Sequence, residues 1–574
     1  MSVSLRGSDG GTPIVASWLC ASLLFLGLFA AYLSIWEPAH DEGVTFTQVM
    51  GPIGVTSCRQ GGMPAAEATA LLEPRAGHRA SDVIGALMSD GMHPPGYYLG
   101  LHGVARLLGA ERVWLAGCLG LLGLVSIFSI GRIAVRMAPG RHSALAAMLL
   151  LAVSPWFVGY SVLLRPYALV LCLGLLTTWS ALEIHAPNAT AGQRRLWRVL
   201  FVVLSSFGLY TLYHYGFVLA WQMLALFVFA WGSSRRGHNL AAWLGMGVTI
   251  LLIFAPWIPR LLVHLGASSS SSYYFAGWPA AADWLPGLGH LLLVFALGEG
   301  LWSTIPDVLR LSAVFLGGLT LPWVLLSLRP RILEALDPLS RTLWFVLPVI
   351  PALVLASDWV RDTHTIFLSK TNFMLLPIGI LLIVRAFQAL PSNRWSLIAM
   401  SAWLLLFGAA IGAAIHTRSW ALTPFEVVSE TIRRPDSPAH LVLLSSDARG
   451  YVVPFLLTLR KAGVREAVIA DAPKAEVASC VEAALRNPGF ERVTLVHFDV
   501  PYRPSDVLGP ASLRSIAETA KEAAWTPVRL QPSQPRVSAV PGLDRWWRGQ
   551  VEGVELDSRV MVISSPTKSW YFTE

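Results

Sequence analysis

Two adjacent carboxylates follow the first long apolar segment of the chain. Residues 14–36 are apolar and uncharged, and Asp41 and Glu42 come shortly after them in the segment Glu37-Pro38-Ala39-His40-Asp41-Glu42. Carboxylates placed where a helix leaves a bilayer can act as general bases toward an acceptor hydroxyl. They can equally be the charged flank of a membrane span, and the pair alone leaves both interpretations open.

The composition predicts a polytopic membrane protein. The chain has 574 residues, of which 54% are hydrophobic and 14% charged, and its mean hydropathy is +0.56. Soluble domains carry about 25% charged residues. The formal charge of +8 does not indicate a nucleic-acid partner, because the basic residues lie mostly in short loops between apolar runs. The five cysteines show neither metal-binding spacing nor a disulfide framework.

Apolar runs predict about eleven transmembrane helices, since each is near the length that crosses a bilayer. They cover residues 14–36, 113–135, 144–161, 167–182, 196–212, 216–231, 240–256, 309–328, 343–356, 373–383 and 395–415.

Arginine clusters predict the orientation of these helices. The clusters lie in alternate loops, at 132–141, 194–198, 235–236, 329–341 and 385–394. The positive-inside rule places all five in the cytoplasm, provided that residues 93–108 form an interfacial helix. The protein is then predicted to be a multi-pass protein of the inner (plasma) membrane. Its amino terminus is cytoplasmic, residues 37–111 form a long periplasmic loop with interfacial helices, and the tail is periplasmic or extracellular.

The tail after the last span has a different pattern. Predicted strands at 440–445, 466–470, 492–497 and 559–564 alternate with predicted helices at 451–462, 475–486 and 512–524. Such alternation is typical of a small α/β domain. We therefore divide the chain into a transmembrane domain, residues 1–415, and a C-terminal periplasmic α/β domain, residues 416–574. The tail has no glycine-rich phosphate loop, and we interpret it as a cap or a partner-binding domain.

Several polar side chains share the predicted outer face with the two carboxylates. They are His93, Tyr97, Arg112, Tyr160, Arg165, Tyr167, His214 and Lys370. Each also has a simpler interpretation: the arginines can meet lipid head groups, the histidines and tyrosines are common at membrane interfaces, and Lys370 can be a snorkelling anchor. Together they favour an anionic, lipid-anchored substrate. The cations would hold a phosphate leaving group, and a carboxylate would deprotonate an acceptor hydroxyl.

The order of several short motifs resembles the GT-C superfamily. The motifs are His93-Pro94-Pro95-Gly96-Tyr97-Tyr98, Ser154-Pro155-Trp156, Arg165-Pro166-Tyr167, Tyr210-Thr211-Leu212-Tyr213-His214-Tyr215 and Pro256-Trp257-Ile258-Pro259. More narrowly, the set is similar to the bacterial group related to protein O-mannosyltransferases and aminoarabinose transferases. The resemblance covers about residues 14 to 390.

This resemblance implies an inverting glycosyltransferase. The sugar would move from a polyprenyl-phosphate or dolichyl-phosphate donor to a glycan, lipid or protein acceptor at the outer face. Asp41 would be the general base with Glu42 in support, and Arg165 and Lys370 would contact the phosphate. No cofactor is certain. Some members use a divalent metal cation, for which Asp41 and His93 are the possible ligands.

The chain also departs from the family pattern. Val162-Leu163-Leu164 replaces a polar Gln-Glu pair that relatives often carry, and Leu212-Tyr213 intervenes in a Thr-His-Tyr motif. Two other functions stay open, a transporter or flippase of lipid-linked glycans and a non-catalytic scaffold with a partner-binding tail. The serine run 268–272 is either a mobile lid or a plain linker.

Overall fold

The structure is a computed structural model of the chain. It describes residues 11–35, 40–51, 53, 55–73, 77–90, 93–140, 142–271, 279, 281, 284–298, 307–363, 365–420, 440–445, 452–465, 467–472, 479–480, 483, 492–499, 553–557 and 560–566. The chain forms two compact units. The first consists of Met1–Ile35, Leu87–Gly100 and Arg112–Ile415, and the second of Trp36–Ala86, Leu101–Glu111 and His416–Glu574.

The described residues are mostly helical. The helices are α1 Gly11–Ile35, α2 His40–Met50, α3 Ala65–Ala70, α4 Ala80–Asp90, α5 Gly96–Leu108, α6 Arg112–Met137, α7 Ser143–Ala152, α8 Pro155–Val162, α9 Tyr167–Ile184, α10 Ala191–Thr211, α11 Tyr215–Gly232, α12 Arg236–Phe254, α13 Ile258–Ser271, α14 Trp284–Leu297, α15 Asp307–Ser327, α16 Pro330–Leu333, α17 Pro338–Phe345, α18 Val349–Arg361, α19 Ser369–Asn372, α20 Leu376–Gln388, α21 Asn393–Trp420 and α22 Val452–Ala462.

Nine helical segments in the described part of the chain are long and apolar enough to cross a membrane. They are Ile14–Ile35, Arg112–Met137, Tyr167–Ile184, Tyr215–Gly232, Arg236–Leu265, Asp307–Ser327, Pro338–Arg361, Lys370–Gln388 and Asn393–His416. The pair α7 and α8, bent by 54°, makes a tenth if it is one span.

The sequence predicted an eleventh span at 196–212, which corresponds to most of α10. That helix has 21 residues, but Arg194, Arg195 and Arg198 lie in its first two turns. Their three charges keep α10 outside the group of apolar spans, so the predicted count of eleven is too high by this criterion.

The bend between α7 and α8 has a local cause. Ser154 caps α8, its Oγ accepting from the backbone N–H of Phe157, and Pro155 occupies the first helical position. Proline at that position starts a helix but cannot continue α7, because it has no N–H to donate. The chain therefore restarts as a separate helix that ends near Arg165.

Two glycines allow close packing at the start of α5 and the end of α10. A Cβ atom on Gly96 would lie 2.7 Å from the backbone oxygen of Tyr210, and one on Gly208 would lie 2.5 Å from the ring of Tyr215. Side chains at either position would force the backbone or the ring to move. The two glycines thus fix the segment that carries His93 against the hairpin between α10 and α11.

The second unit contains a six-stranded sheet. Its strands are β1 Met63–Pro64, β2 His440–Ser445, β3 Val468–Ala472, β4 Arg492–Asp499, β5 Gly553–Asp557 and β6 Val560–Pro566, in the order β1-β3-β2-β4-β6-β5. The four central strands are parallel, and β1 and β5 pair antiparallel at the edges.

The central strands and α22 coincide with the predicted elements of the tail within a few residues, whereas β1 and β5 were not predicted. The predicted helix at 512–524 lies outside the described residues, as does most of the predicted helix at 475–486. The sheet takes one edge strand, β1, from the predicted outer loop. A separate periplasmic domain at 416–574 stays a prediction.

A disulfide joins distant parts of the second unit. Cys58 and Cys480, separated by 422 residues, are bonded to each other. The expectation that the cysteines form no disulfide was wrong, because a pairing over this distance leaves no spacing pattern in the sequence. Disulfides are typical of oxidising compartments outside the cytoplasm.

The serine run also differs from expectation. Ser268–Ser271 form the last turn of α13 rather than a loop. Residues 272–278, where the predicted lid continues, lie outside the described residues.

Candidate active site

The predicted site residues of the first unit centre on a contact between Arg165 and His93. Arg165 lies in the turn between α8 and α9 and is only 6% exposed. Its Nη2 lies 3.1 Å from Nε2 of His93. A guanidinium only donates hydrogen bonds, so Nε2 of His93 accepts and its Nδ1 carries the proton. A buried cation is thereby held in one orientation by a neutral imidazole.

Aromatic side chains surround this pair. The His93 ring packs edge-on against Tyr98 at 5.6 Å, and Tyr98 packs against Tyr97 at 5.3 Å. Both tyrosines are buried in the first turn of α5. Tyr97 thus packs against the ring that contacts His93, and Tyr98 limits where the imidazole can turn.

A second aromatic group connects Tyr160 to the segment that carries Lys370. Tyr160 contacts Tyr167 at 5.0 Å and stacks on Phe373 at 4.5 Å, with the ring planes 21° apart. Lys370 lies on α19, one turn before Phe373. The structure therefore brings α19 next to α8, although residues 160 and 370 are far apart in the sequence.

His214 interacts electrostatically with His93 and with two residues of α18. Burial lowers the pKa of His214 to about 4, with a further lowering by Arg361, an opposing effect of Asp358 and a smaller lowering by His93. His214 is consequently neutral near pH 7. His214 precedes α11 and lies within electrostatic range of His93, Arg361 and Asp358.

Asp358 and Arg361 are site residues that the sequence analysis missed. Asp358 is fully buried, and its carboxylate accepts from the hydroxyls of Thr363 and Thr365 and from the backbone N–H of Ile366, at 2.6 to 2.7 Å. It fixes the turn that leads from α18 to α19. A signal was present, because Asp358 is a carboxylate beside an apolar predicted span, and such groups are functional candidates.

Arg361 contributes a buried donor to this region. Its Nε is buried and has no hydrogen-bond partner within the part of the chain that the structure describes. A buried, unsatisfied N–H of a cation is expensive. A phosphate oxygen would satisfy it, and Arg361 lies within electrostatic range of His214.

A relay of polar groups supports the hairpin before His214. Arg260 Nε donates to His264 Nε2 at 3.0 Å, so His264 donates through Nδ1 to the hydroxyl of Tyr213 at 2.8 Å. Trp257 also donates to this hydroxyl at 2.9 Å. With both lone pairs occupied, the Tyr213 hydroxyl can only donate onward. The motif Pro256-Trp257-Ile258-Pro259 positions Trp257 for this role.

Arg112 contacts the end of α8, and its predicted role in substrate binding stays a prediction. Its Nη2 donates to the backbone oxygen of Val162, the last residue of α8, at 3.1 Å. Cations are favourable at helix carboxyl ends. Arg112 thus holds the end of α8 just before the turn that contains Arg165.

Asp41 and Glu42 belong to the second unit and lie in the first turn of α2. Carboxylates in a first turn are favoured by the helix dipole. Glu42 is fully buried, and the backbone oxygen of Asp41 accepts from the Thr45 hydroxyl at 3.1 Å. Their catalytic roles stay predictions.

The described residues do not include a ready metal centre. No three His, Cys, Asp or Glu side chains converge in this part of the chain. Nε2 of His93 is occupied by Arg165, so His93 could ligate a metal there only after losing that hydrogen bond. A divalent cation stays a prediction, and no catalytic step is derived through it.

An apolar cavity of about 430 Å³ opens between the membrane helices next to α8 and α19. Leu291, Phe295, Leu321, Leu382 and Trp403 belong to its apolar walls. The cavity is also lined by Trp156 and by Asn372, which lies two residues after Lys370 on α19. It therefore adjoins the helix that carries Lys370.

Comparison with known families supports the resemblance seen in the sequence. Residues 92–259 match the model of the family described as dolichyl-phosphate-mannose-protein mannosyltransferase. This segment contains His93, Arg165 and His214, but neither Asp41 nor Lys370. The resemblance to GT-C glycosyltransferases is therefore confirmed for the segment that holds the centre of the candidate site.

Solved structures of two membrane glycosyltransferases are similar to this chain. ArnT from Cupriavidus metallidurans, bound to undecaprenyl phosphate, is 15% identical, with 89% of this chain and 88% of that chain covered and a TM-score of 0.43. The oligosaccharyltransferase of Archaeoglobus fulgidus, in the apo form, is 12% identical, with 81% and 65% covered and a TM-score of 0.43. Likeness at this level defines neither a reaction nor a substrate. The comparison with curated proteins gave no match.

Proposed function

We propose that this protein is an inverting glycosyltransferase that moves a sugar from a polyprenyl-phosphate donor to an acceptor at the outer face of the membrane. The observation that carries the proposal is the buried Arg165–His93 pair beside His214, inside the segment that matches a family of lipid-phosphate sugar transferases. An oriented, desolvated cation stabilises charge that grows on a leaving phosphate far better than a hydrated one does.

The phosphate would be held by three cations. Arg165 is fixed by His93, Arg361 has a buried N–H to satisfy, and Lys370 lies on the helix that Phe373 ties to Tyr160. The isoprenoid tail would occupy the apolar cavity that Asn372 borders. The Tyr213 hydroxyl, directed by His264 and Trp257, would donate to the sugar or the phosphate.

Asp41 would act as the general base. The acceptor hydroxyl is weakly nucleophilic and must lose its proton as the bond between sugar and phosphate breaks, a step for which proton transfer contributes about 100- to 10,000-fold in rate. Glu42 would support Asp41. Phosphate leaves with the bonding electron pair, and the acceptor oxygen attacks from the opposite side of the sugar.

The test is transfer of radiolabelled mannose from polyprenyl-phosphate mannose, together with binding of undecaprenyl phosphate. Asp41→Asn should remove turnover and leave lipid binding intact, whereas Arg165→Ala should weaken both. The exposed His238→Ala is the matched control for the loss of a histidine elsewhere in the chain. Normal transfer by Asp41→Asn would remove Asp41 from the mechanism. Lipid binding with no transfer to any acceptor by the wild type would favour a flippase or a scaffold.

The sidedness proposed for this reaction is tested by labelling. Ala66 and Arg195 are both exposed in the structure. In a chain whose three free cysteines are replaced by serine, Ala66→Cys should react with an impermeant maleimide added outside cells, and Arg195→Cys should not. The opposite pattern would place the site in the cytosol. With the expected pattern, the tail, on the same side as Ala66, would serve as a periplasmic cap or a partner-binding domain.

A further inference from the structure

A second group of arginines lies at the opposite end of the membrane helices from the candidate active site. Helix α6 begins at Arg112 and carries Arg136 in its last turn, about 36 Å away along the helix axis at 1.5 Å per residue. Helix α9 likewise begins next to Arg165 and ends at Ile184. Nothing in the proposed reaction uses this end.

Two carboxylates neutralise only part of the charge at this end. Arg136 forms an ion pair with Asp337 at 3.2 Å and also donates to the backbone oxygen of Leu182. Arg132 forms an ion pair with Glu183 at 3.5 Å. Within the described residues, Arg194 and Arg198 at the start of α10 form no ion pair. The excess positive charge therefore lies on these two arginines, which are one turn apart on the same face of the helix.

Three of the arginines have unsatisfied donors. Nη2 of Arg136, Nε of Arg194 and Nε of Arg198 are buried and have no hydrogen-bond partner in the part of the chain that the structure describes. All three arginines lie within electrostatic range of His185, whose pKa is lowered to about 4 by burial and then by Arg198, Arg194 and Arg136, with Asp337 opposing. A neutral imidazole surrounded by cations with free N–H groups is an environment that favours an anion.

The surroundings select a lipid rather than a free ion. Trp179 and Trp197 pack together at 5.1 Å between α9 and α10, and indole rings are typical of the membrane interface. From the arginines along α10, Leu196, Val199 and Val203 are 56%, 52% and 53% exposed. Their spacing of three and four residues places them on one face. At 3.6 residues per turn this face lies roughly opposite Arg194 and Arg198. Helix α10 would therefore meet acyl chains on one side and hold the two arginines at head-group level on the other.

We propose that Arg136, Arg194 and Arg198 form a binding site for the phosphate of an anionic phospholipid head group, at the end of α6, α9 and α10 remote from the candidate active site. Basic pockets between membrane helices are known to bind such head groups. The lipid would hold the start of α10 against α9.

The experiment measures the thermal unfolding midpoint of the purified protein in neutral detergent during titration with dioleoylphosphatidylglycerol, dioleoylphosphatidylcholine or inorganic phosphate. Only dioleoylphosphatidylglycerol should raise the thermal unfolding midpoint, and the rise should saturate. Each arginine near a membrane surface strengthens lipid attraction about fivefold. The Arg194→Gln/Arg198→Gln variant should therefore need about 25-fold more lipid for half of the full rise. The control Arg235→Gln/Arg329→Gln removes the same charge from two exposed arginines and should change this lipid requirement less than about twofold.

The outcomes separate the possible sources. If the wild type and Arg194→Gln/Arg198→Gln respond to the same lipid concentration, the proposed site is wrong. If the control Arg235→Gln/Arg329→Gln is weakened as much as this variant, the lipid effect is general charge attraction and the site is likewise refuted. An effect of inorganic phosphate equal to that of the lipid would overturn the lipid assignment. If the double variant does not elute as a folded species, Arg198→Gln should still show about fivefold, and an unchanged affinity would likewise refute the proposal.

Discussion

Removal of either partner of the Arg165–His93 pair should affect transfer through the same interaction. Arg165→Ala removes a positioned donor from the leaving phosphate, and loss of one such donor typically lowers kcat about 100- to 1,000-fold, or about 2.7 to 4 kcal/mol. His93→Ala removes the acceptor that orients the guanidinium at 3.1 Å. A hydrogen bond that involves a charged group contributes about 1.5 to 3 kcal/mol, which sets the loss at roughly 10- to 150-fold.

The two effects should not add. If His93 acts by holding Arg165, then it has nothing to hold once Arg165 is absent, and the double variant should transfer sugar at nearly the rate of Arg165→Ala alone. The coupling energy of the cycle should therefore equal the effect of His93→Ala, about 1.5 to 3 kcal/mol. Independent roles would instead give a double variant slower than Arg165→Ala by the full factor of the single histidine variant.

The assay is initial-rate transfer of radiolabelled sugar by the wild type, both single variants and the double variant, at saturating acceptor. Binding of undecaprenyl phosphate is measured in parallel, so that a loss of donor affinity is not mistaken for a loss of kcat. Arg235→Ala and His238→Ala, which alter exposed residues of the same two types, are the matched controls. Additive losses, or a His93→Ala variant with normal kcat, would refute the proposed dependence of Arg165 on His93.

Three further predictions follow from the described contacts. Burial lowers the pKa of His214 to about 4, against 6.5 in the unfolded chain. The free energy of unfolding therefore does not depend on His214 above pH 6.5, and it falls by about 3 kcal/mol as the pH is lowered toward 4 and the unfolded chain takes up the proton first. His214→Gln should therefore flatten the fall of the unfolding midpoint between pH 7 and 4.5, and a parallel curve would contradict the assignment. Asp358→Ala leaves three donors without their buried acceptor and should lower the unfolding free energy by about 3 kcal/mol or more; a change under about 1 kcal/mol in chemical denaturation would show that the turn does not depend on it. Unreduced wild-type protein in SDS should take up three maleimide tags and reduced protein five, with four on unreduced Cys58→Ser; five tags without reductant would disprove the Cys58–Cys480 bond.

Local patterns predicted most of the membrane helices because hydropathy is a property of consecutive residues. The same approach placed β2 and α22, whose apolar residues are continuous. It overcounted at α10, where apolar length outweighed the charge of Arg194, Arg195 and Arg198. An apolar run alone identifies a candidate span, whereas the nine segments are defined by length, apolarity and few charged residues together.

The centre of the candidate site was predicted from motifs, but its contacts were not. Tyr160, Arg165 and His214 were each recognised near a span end, and His93 at the start of the predicted interfacial helix. That Arg165 meets His93, or that Tyr160 stacks on Phe373, depends on how helices pack, which residue spacing does not encode. Asp358, Arg361 and the Tyr213–His264 relay were missed for the same reason, because their partners come from other turns and helices.

The disulfide between Cys58 and Cys480 can form only late in the synthesis of the chain. At about 5 to 20 residues per second, the ribosome needs roughly 20 to 80 s to add the 422 residues that separate the two cysteines. Cys58 must keep its thiol, or release a temporary partner, throughout that interval. Cys118 and Cys172, made in between, are inside the membrane-spanning helices α6 and α9, away from an oxidising compartment. The bond can therefore close only after the described membrane helices have been synthesised, and its presence marks a chain that has been extended at least to Cys480.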